Sequence, residues 1–152
     1  MTWLHNNEPV TDIDIKKYPA FVYLITNLKN NKYYVGYKQT SFSKTKQVKG
    51  KKKRHQVESD WREYWSSSDE LKDDVAKLGE SSFKREILYF CKSKSMASYL
   101  ELREQIDRRV MENPSTTYNG IVNARVSRMH LKNVLEDIRD VSCITESHHQ
   151  CK

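Results

Sequence analysis

Apolar residues in this chain fall in short, dense runs separated by long polar stretches, and their spacing changes along the sequence. Phe21, Val22, Tyr23, Leu24 and Ile25 are consecutive, the pattern of a strand buried on both faces. Pro19 precedes them and closes what reads as an irregular N-terminal arm. Residues 27–32 read as a turn, since Asn30 and Asn31 tolerate left-handed backbone. Tyr33, Tyr34 and Val35 follow at once, so the two runs pair as a β-hairpin, with Gly36 ending its second strand. Further on the spacing becomes helical. Ser67 and Ser68 are N-cap candidates, Asp69 and Glu70 suit a first turn, Leu71, Val75 and Leu78 form a stripe, and Gly79 is a stop. Phe83 to Phe90 returns to strand character. Ser95 is then expected to cap a second helix carrying Tyr99, Leu102, Ile106 and Val110, which ends before Pro114. The predicted order is β, β, polar loop, α, β, α. Beyond it, Leu131, Val134, Leu135 and Ile138 suggest a short helix before a polar tail, and no internal repeat is visible.

Composition narrows this picture. With 152 residues there is room for one domain and a modest core. Only 37% of residues are hydrophobic while 31% are charged, which predicts a soluble protein with a large polar surface. No apolar run approaches the roughly 18 residues a membrane span needs. The N-terminus carries Glu8, Asp12 and Asp14 and lacks the basic start and apolar run of a secretory signal, so a cytoplasmic protein is expected. Cys91, Cys143 and Cys151 are odd in number and lack CxxC spacing, which argues against a disulfide framework or a zinc ribbon; the His148, His149, Cys151 tail reads as a polar end.

Charge changes the picture more. Lysine and arginine number 27 against 20 acids, a net +7, and the excess is concentrated. From Lys38 to Val57 there are seven lysines and one arginine without an acid. The centre of the stretch is Lys49, Gly50, Lys51, Lys52, Lys53, Arg54 and His55. Such a run cannot neutralise itself, so it is expected to repel, stay solvated and attract a polyanion. A solvated loop without a ligand is the alternative.

The hairpin triplets Phe21-Val22-Tyr23 and Tyr34-Val35-Gly36 resemble, in kind and separation, the two tripeptides that name the GIY-YIG nucleases. Valine stands for isoleucine in both and Phe21 where glycine is common, while both tyrosines are kept. Glu58-Ser59-Asp60-Trp61, Tyr64-Trp65-Ser66-Ser67-Ser68, Phe83-Lys84-Arg85-Glu86-Ile87-Leu88, Tyr99-x-Glu101 and Tyr118-Asn119-Gly120-Ile121 resemble, in that order, segments of phage-encoded Seg-like members. The resemblance covers about residues 21–126. It implies an α/β (α+β) fold with a small antiparallel three-stranded sheet flanked by helices. It also implies a metal-dependent DNA endonuclease of the free-standing homing type, acting in the host cytoplasm if phage-encoded. The domain is expected over residues 20–126, with a basic insertion at 38–57, between an arm at 1–19 and a tail at 127–152.

Phosphodiester hydrolysis needs an activated water, charge stabilisation at the phosphoryl group and help for the leaving oxygen. By the resemblance, Glu101 offers a hard oxygen ligand to one Mg²⁺ or Mn²⁺, with Glu104 the neighbouring alternative. Tyr23 and Tyr34 flank the water and phosphate. A tyrosine is a poor base near neutrality, its free pKa being about 10, unless a cation lowers it. The resemblance also implies a phosphate-binding arginine, assigned to Arg54, with Lys38 as a second cation and Arg62 as the alternative. Asn119 is a neutral orienting group. Lys49, Lys51, Lys52, Lys53, His55 and Arg62 are the expected contacts to duplex DNA. A catalytically decayed DNA-binding or host-interacting module is the rival, and an RNA-binding protein a third reading that lacks a recognisable signature. Monomer and homodimer both stay open, and little chain remains after Val126 for a separate target-reading region.

Overall fold

The computed structural model describes residues 2–122. The expected tail helix, the tail histidines, Cys143 and Cys151 lie outside the described residues. The chain forms β1 (Leu4–His5), β2 (Glu8–Pro9), α1 (Asp12–Lys16), β3 (Ala20–Asn27), β4 (Tyr33–Gln39), β5 (Ser41–Val48), β6 (Lys51–Glu58), α2 (Asp69–Leu78), β7 (Phe83–Cys91) and α3 (Lys94–Asp107). Short 3-10 turns at Glu80–Ser82 and Val110–Glu112 follow α2 and α3.

The main sheet is five-stranded, in the order β2-β1-β7-β3-β4, which corrects the expected three strands. β3 lies between β4 and β7, antiparallel to both. Its continuous apolar run has a simple cause, for both faces are covered. Phe21, Tyr23 and Ile25 join one cluster with Trp3, Trp61, Leu71, Phe83 and Ile87. Ala20 and Val22 join a second with Val35, Tyr89, Met96, Ala97 and Leu100, under α3. The β3–β4 turn has Asn31 at φ 61, in the left-handed region, and β4 continues past Gly36 to Gln39.

The two extra strands come from the segment expected to be an irregular arm. Asn6 and Asn7, at φ 52 and 67, turn β1 back into β2, and β1 runs parallel to β7 through Leu4 and Glu86. Trp3 is buried in the core, its Nε1 donating to the Trp61 carbonyl at 2.8 Å. Two-residue strands leave almost no alternation to read, and β7, the partner that joins β1 to the sheet, lies some eighty residues away, so local pattern could not reveal them.

α2 begins and ends as expected. The Ser68 hydroxyl accepts from the Leu71 amide and the Gly79 amide bonds to the Val75 carbonyl, although Leu78 is exposed. α3 departs from its pattern. Its cap is Ser93, whose hydroxyl accepts from the Met96 amide, and its buried residues are Met96, Ala97, Leu100 and Gln105, while Ile106 is 59% exposed. The reason is that one flank of α3 covers the outer edge of β4, where polar side chains are needed to satisfy backbone groups.

The basic stretch is not an irregular loop. β5 and β6 pair over eight residues each as a separate two-stranded ribbon, turned at Lys49 and Gly50, whose φ values of 50 and 75 suit a two-residue hairpin turn. Its base is held by Thr40, whose amide bonds to the Pro19 carbonyl and whose hydroxyl donates to the Tyr18 carbonyl. Ser59 bonds through its amide to the Thr40 carbonyl and through its hydroxyl to that of Gln39.

Candidate active site

Tyr23 lies in the middle of β3 opposite Gly36 of β4, with Tyr34 and Lys38 two residues to either side of the glycine on the same face. A Cβ on Gly36 would stand 2.5 Å from the Tyr23 hydroxyl oxygen and 2.8 Å from Tyr34 Cε1. Glycine therefore makes the room in which the two tyrosine rings stack, with centroids 6.1 Å apart. Tyr64 meets Tyr23 edge-on at 5.9 Å, and Ser67 Oγ is 3.1 Å from the Tyr34 hydroxyl.

Glu101 reaches this group from α3. Burial pushes its carboxyl up to about 7, partly offset by the Tyr37 backbone amide that hydrogen-bonds to it. The same carboxylate raises both tyrosines. Tyr23 is pushed well above the ordinary tyrosine value, first by burial and then by Tyr34, Tyr64 and Glu101. Tyr34 is raised by burial and by Glu101, against the Ser67 hydrogen bond. Both hydroxyls are therefore neutral at neutral pH and act as hydrogen-bonding groups.

Lys38 stands over the Tyr64 ring, Nζ 4.0 Å from its centroid, and pairs with Asp60 at 2.6 Å. That partner holds the Asp60 carboxyl below its usual range. Asn119 is buried and binds both backbone groups of Val35: its Oδ1 accepts from the amide at 3.0 Å and its Nδ2 donates to the carbonyl at 2.8 Å. Gln105 Nε2 donates to the same carbonyl. Beside them Tyr33 exchanges backbone bonds with Thr116 and Tyr118. The free edge of β4 is thus completed by the side chains of Asn119 and Gln105 and by the backbone of Thr116 and Tyr118, and Asn119 orients the strand that carries Tyr34 and Gly36. Its role in the geometry is to position backbone.

Of the expected site residues, Tyr23, Tyr34, Lys38, Glu101 and Asn119 come together around β4. Arg54 does not, being exposed midway along β6 opposite Thr45. Lys49, Lys51, Lys52, Lys53 and His55 are likewise exposed on the ribbon. Arg62 packs over the Trp61 ring and is held by Asp12 and Glu58. Glu104 is engaged elsewhere, accepting from the Tyr89 hydroxyl and from Arg108.

Four residues at or behind the site carried no chemical role in the sequence reading. Tyr64, Ser67 and Asp60 lie in segments that carried the family resemblance, which was the available signal. Arg85 is buried between Trp3 and Trp65, 4.5 and 4.6 Å from their rings, and donates to the Arg62 and Tyr64 carbonyls. Burial lowers its pKa to about 10. It ties the Tyr64 segment to the sheet, and a strand arginine set between Lys84 and Glu86 in sequence gave no sign of that contact.

Among the described residues no three His, Cys, Asp or Glu side chains converge as a metal cage. The donors at Glu101 are one carboxylate with tyrosine hydroxyls nearby, hard oxygens that suit a largely hydrated Mg²⁺ or Mn²⁺. No helix among the described residues is long and apolar enough to cross a membrane. Residues 3–123 match the family model described as "Putative endonuclease segE, GIY-YIG domain". No curated protein and no solved structure matches the chain.

Proposed function

Because the chain belongs to the GIY-YIG endonuclease family, we propose that it hydrolyses phosphodiester bonds of duplex DNA on the face formed by Tyr23, Tyr34, Lys38 and Glu101, with Mg²⁺ or Mn²⁺. A free-standing phage homing-type enzyme is the biological setting that fits this reading. The observation that carries it is the convergence of two neutral tyrosines, a lysine and a half-buried carboxylate, drawn from β3, β4 and α3.

Water adds to phosphorus, the bond to the 3′ oxygen breaks, and that oxygen takes up a proton. Tyr23 and Tyr34 orient the attacking water and the phosphoryl oxygens and relay the proton. Lys38 meets the developing charge, the phosphate competing with Asp60 for it. Lys38 takes the role that sequence reasoning gave to Arg54. Glu101 would hold the cation, which when bound polarises the phosphoryl group and acidifies its waters. Asn119 keeps Tyr34 and Gly36 in register.

A non-cleaving DNA-binding module is the second reading, favoured by one observation: among the described residues the cluster contains no arginine, and its lysine is already paired with Asp60. Incubation with supercoiled plasmid in Mg²⁺ or EDTA separates the two. Metal-dependent nicking or linearisation is expected, and intact plasmid at saturating protein in Mg²⁺ and in Mn²⁺ would overturn the nuclease reading.

A further inference from the structure

The ribbon has two chemically different faces. Residues directly opposite each other in an antiparallel pair share a face. Ser43 with Gln56, Thr45 with Arg54 and Gln47 with Lys52 therefore line one side, and Lys44 with His55, Lys46 with Lys53 and Val48 with Lys51 line the other. All twelve are exposed. The first side holds hydroxyls, amides and a guanidinium beside a single lysine, and those groups make directional and bidentate hydrogen bonds; the second holds four lysines, which act as point charges.

We propose that β5–β6 is a sequence-reading arm that enters the DNA major groove, with Thr45, Gln47 and Arg54 facing base edges and Lys44, Lys46, Lys51 and Lys53 reaching the flanking phosphates. The inference rests on the nuclease reading for its substrate and extends it to target choice. Dimensions and charge agree with it. A two-stranded ribbon fits a groove about 12 Å wide, and eight residues span about 27 Å, well beyond the groove's depth of about 8.5 Å. Arginine pairs with guanine and glutamine with adenine through two hydrogen bonds each, and lysine lacks the planar fork that fixes such a pair. Lysine stems are long enough to carry their ammonium groups around the ribbon to the groove walls. Lys46 lies opposite Lys53, a like-charge pair that is unfavourable in the free chain and relieved against a polyanion. Gln56 is already oriented, accepting from Ser41 and donating to Ser43, so the polar face is arranged near its base. The ribbon also starts at Ser41, three residues after Lys38, which couples the place read to the place cut.

The test is selection of bound duplexes from a random-sequence pool by the full chain in EDTA, so that nothing is cut. The wild type should enrich a motif. Gln47→Ala and Arg54→Lys should each lose about 5- to 150-fold discrimination at one base position. Arg54→Lys should do so with an unchanged salt dependence, because the charge is kept. Lys46→Ala with Lys53→Ala should keep the motif, weaken binding to every sequence, and flatten the slope of log K against log salt by about 0.9 for each phosphate no longer neutralised. Thermal unfolding of each variant checks that the core is intact. Absence of a wild-type motif, a motif unchanged by both polar-face variants, or preference for single-stranded RNA over duplex DNA would overturn the proposal. Failure of the nuclease reading appears separately, as intact plasmid in Mg²⁺ whatever the selection yields.

Discussion

The β3–β4–α3 face and the β5–β6 ribbon are joined by a single residue, Thr40, yet they solve opposite problems. Tyr23 is 1% exposed and lies against the rings of Tyr34 and Tyr64, so burial and neighbours set how its hydroxyl behaves. The ribbon has no core of its own, and its side chains point into solvent. Chemistry on a phosphate needs groups held in fixed geometry and partly withdrawn from water, whereas finding and gripping a polyanion needs charge that projects. In the proposed reading, placing both on consecutive strands lets one segment deliver the duplex to the other. The comparison also explains why Arg54 suits the proposed reading arm and Lys38 the proposed reacting face, although both belong to the same basic stretch.

The largest expected effect is on the packed face. Glu101→Ala should lower metal-dependent cleavage by orders of magnitude while DNA affinity in EDTA stays within a few-fold. Full activity would remove Glu101 from the mechanism. Because its carboxyl sits at about 7, protons compete with the cation below neutrality. Mn²⁺ affinity, measured by titration calorimetry, should rise up to about tenfold per pH unit up to pH about 7 and level off above it. The same raised value favours the metal-free fold at low pH, where both folded and unfolded states are protonated. This contribution should be lost as pH rises from about 4.5 to about 7, and Glu101→Gln should remove that part of the dependence of Tm on pH.

Next comes the cation. Lys38→Ala should cut the single-turnover rate at saturating DNA by about 100-fold or more, the scale seen when one charge-stabilising donor is lost. Arg54→Ala should cost far less rate than that. Equal losses would break the division between the two regions, since the ribbon would then supply a reacting group.

A smaller effect tests the geometry under the tyrosines. Gly36→Ala puts a methyl against the Tyr23 hydroxyl and the Tyr34 ring, so it should destabilise by about 1–3 kcal/mol, read by denaturant unfolding, and slow cleavage as the rings move. Wild-type stability with wild-type rate would mean that the stacked pair has room to spare.

The smallest effect is expected on the ribbon. Lys51→Ala, Lys52→Ala and Lys53→Ala together should change stability by no more than about 0.5 kcal/mol per site, because none is buried. Their removal should be felt in the salt dependence of DNA binding. A large drop in Tm would mean that the ribbon is part of the folded core after all.

What the sequence determined by itself is local. The β3–β4 hairpin, α2 with its Ser68 and Gly79 ends, the β7 strand and the concentrated positive charge each follow from neighbours within a few residues. The ordered family blocks also marked the two tyrosines, Glu101 and Asn119, which the fold brings together around β4. What only the tertiary structure decided depends on contacts between distant segments. Trp3 enters the core by meeting Trp61, β1 finds β7, and Arg85 is clamped between Trp3 and Trp65, none of which leaves a periodic trace. The burial of Glu101 and Gln105 on α3 was hidden for a related reason. They lie on a covered helix face because β4 is an edge strand whose amide and carbonyl groups need partners, and a hydrophobic pattern cannot register a position buried for its hydrogen bonds. The ribbon lies between these cases. Its charge was plain, but its pairing depended on a two-residue turn at Lys49 and Gly50 and on a base anchored by Thr40 and Ser59, and those contacts turn a self-repelling run into two ordered faces.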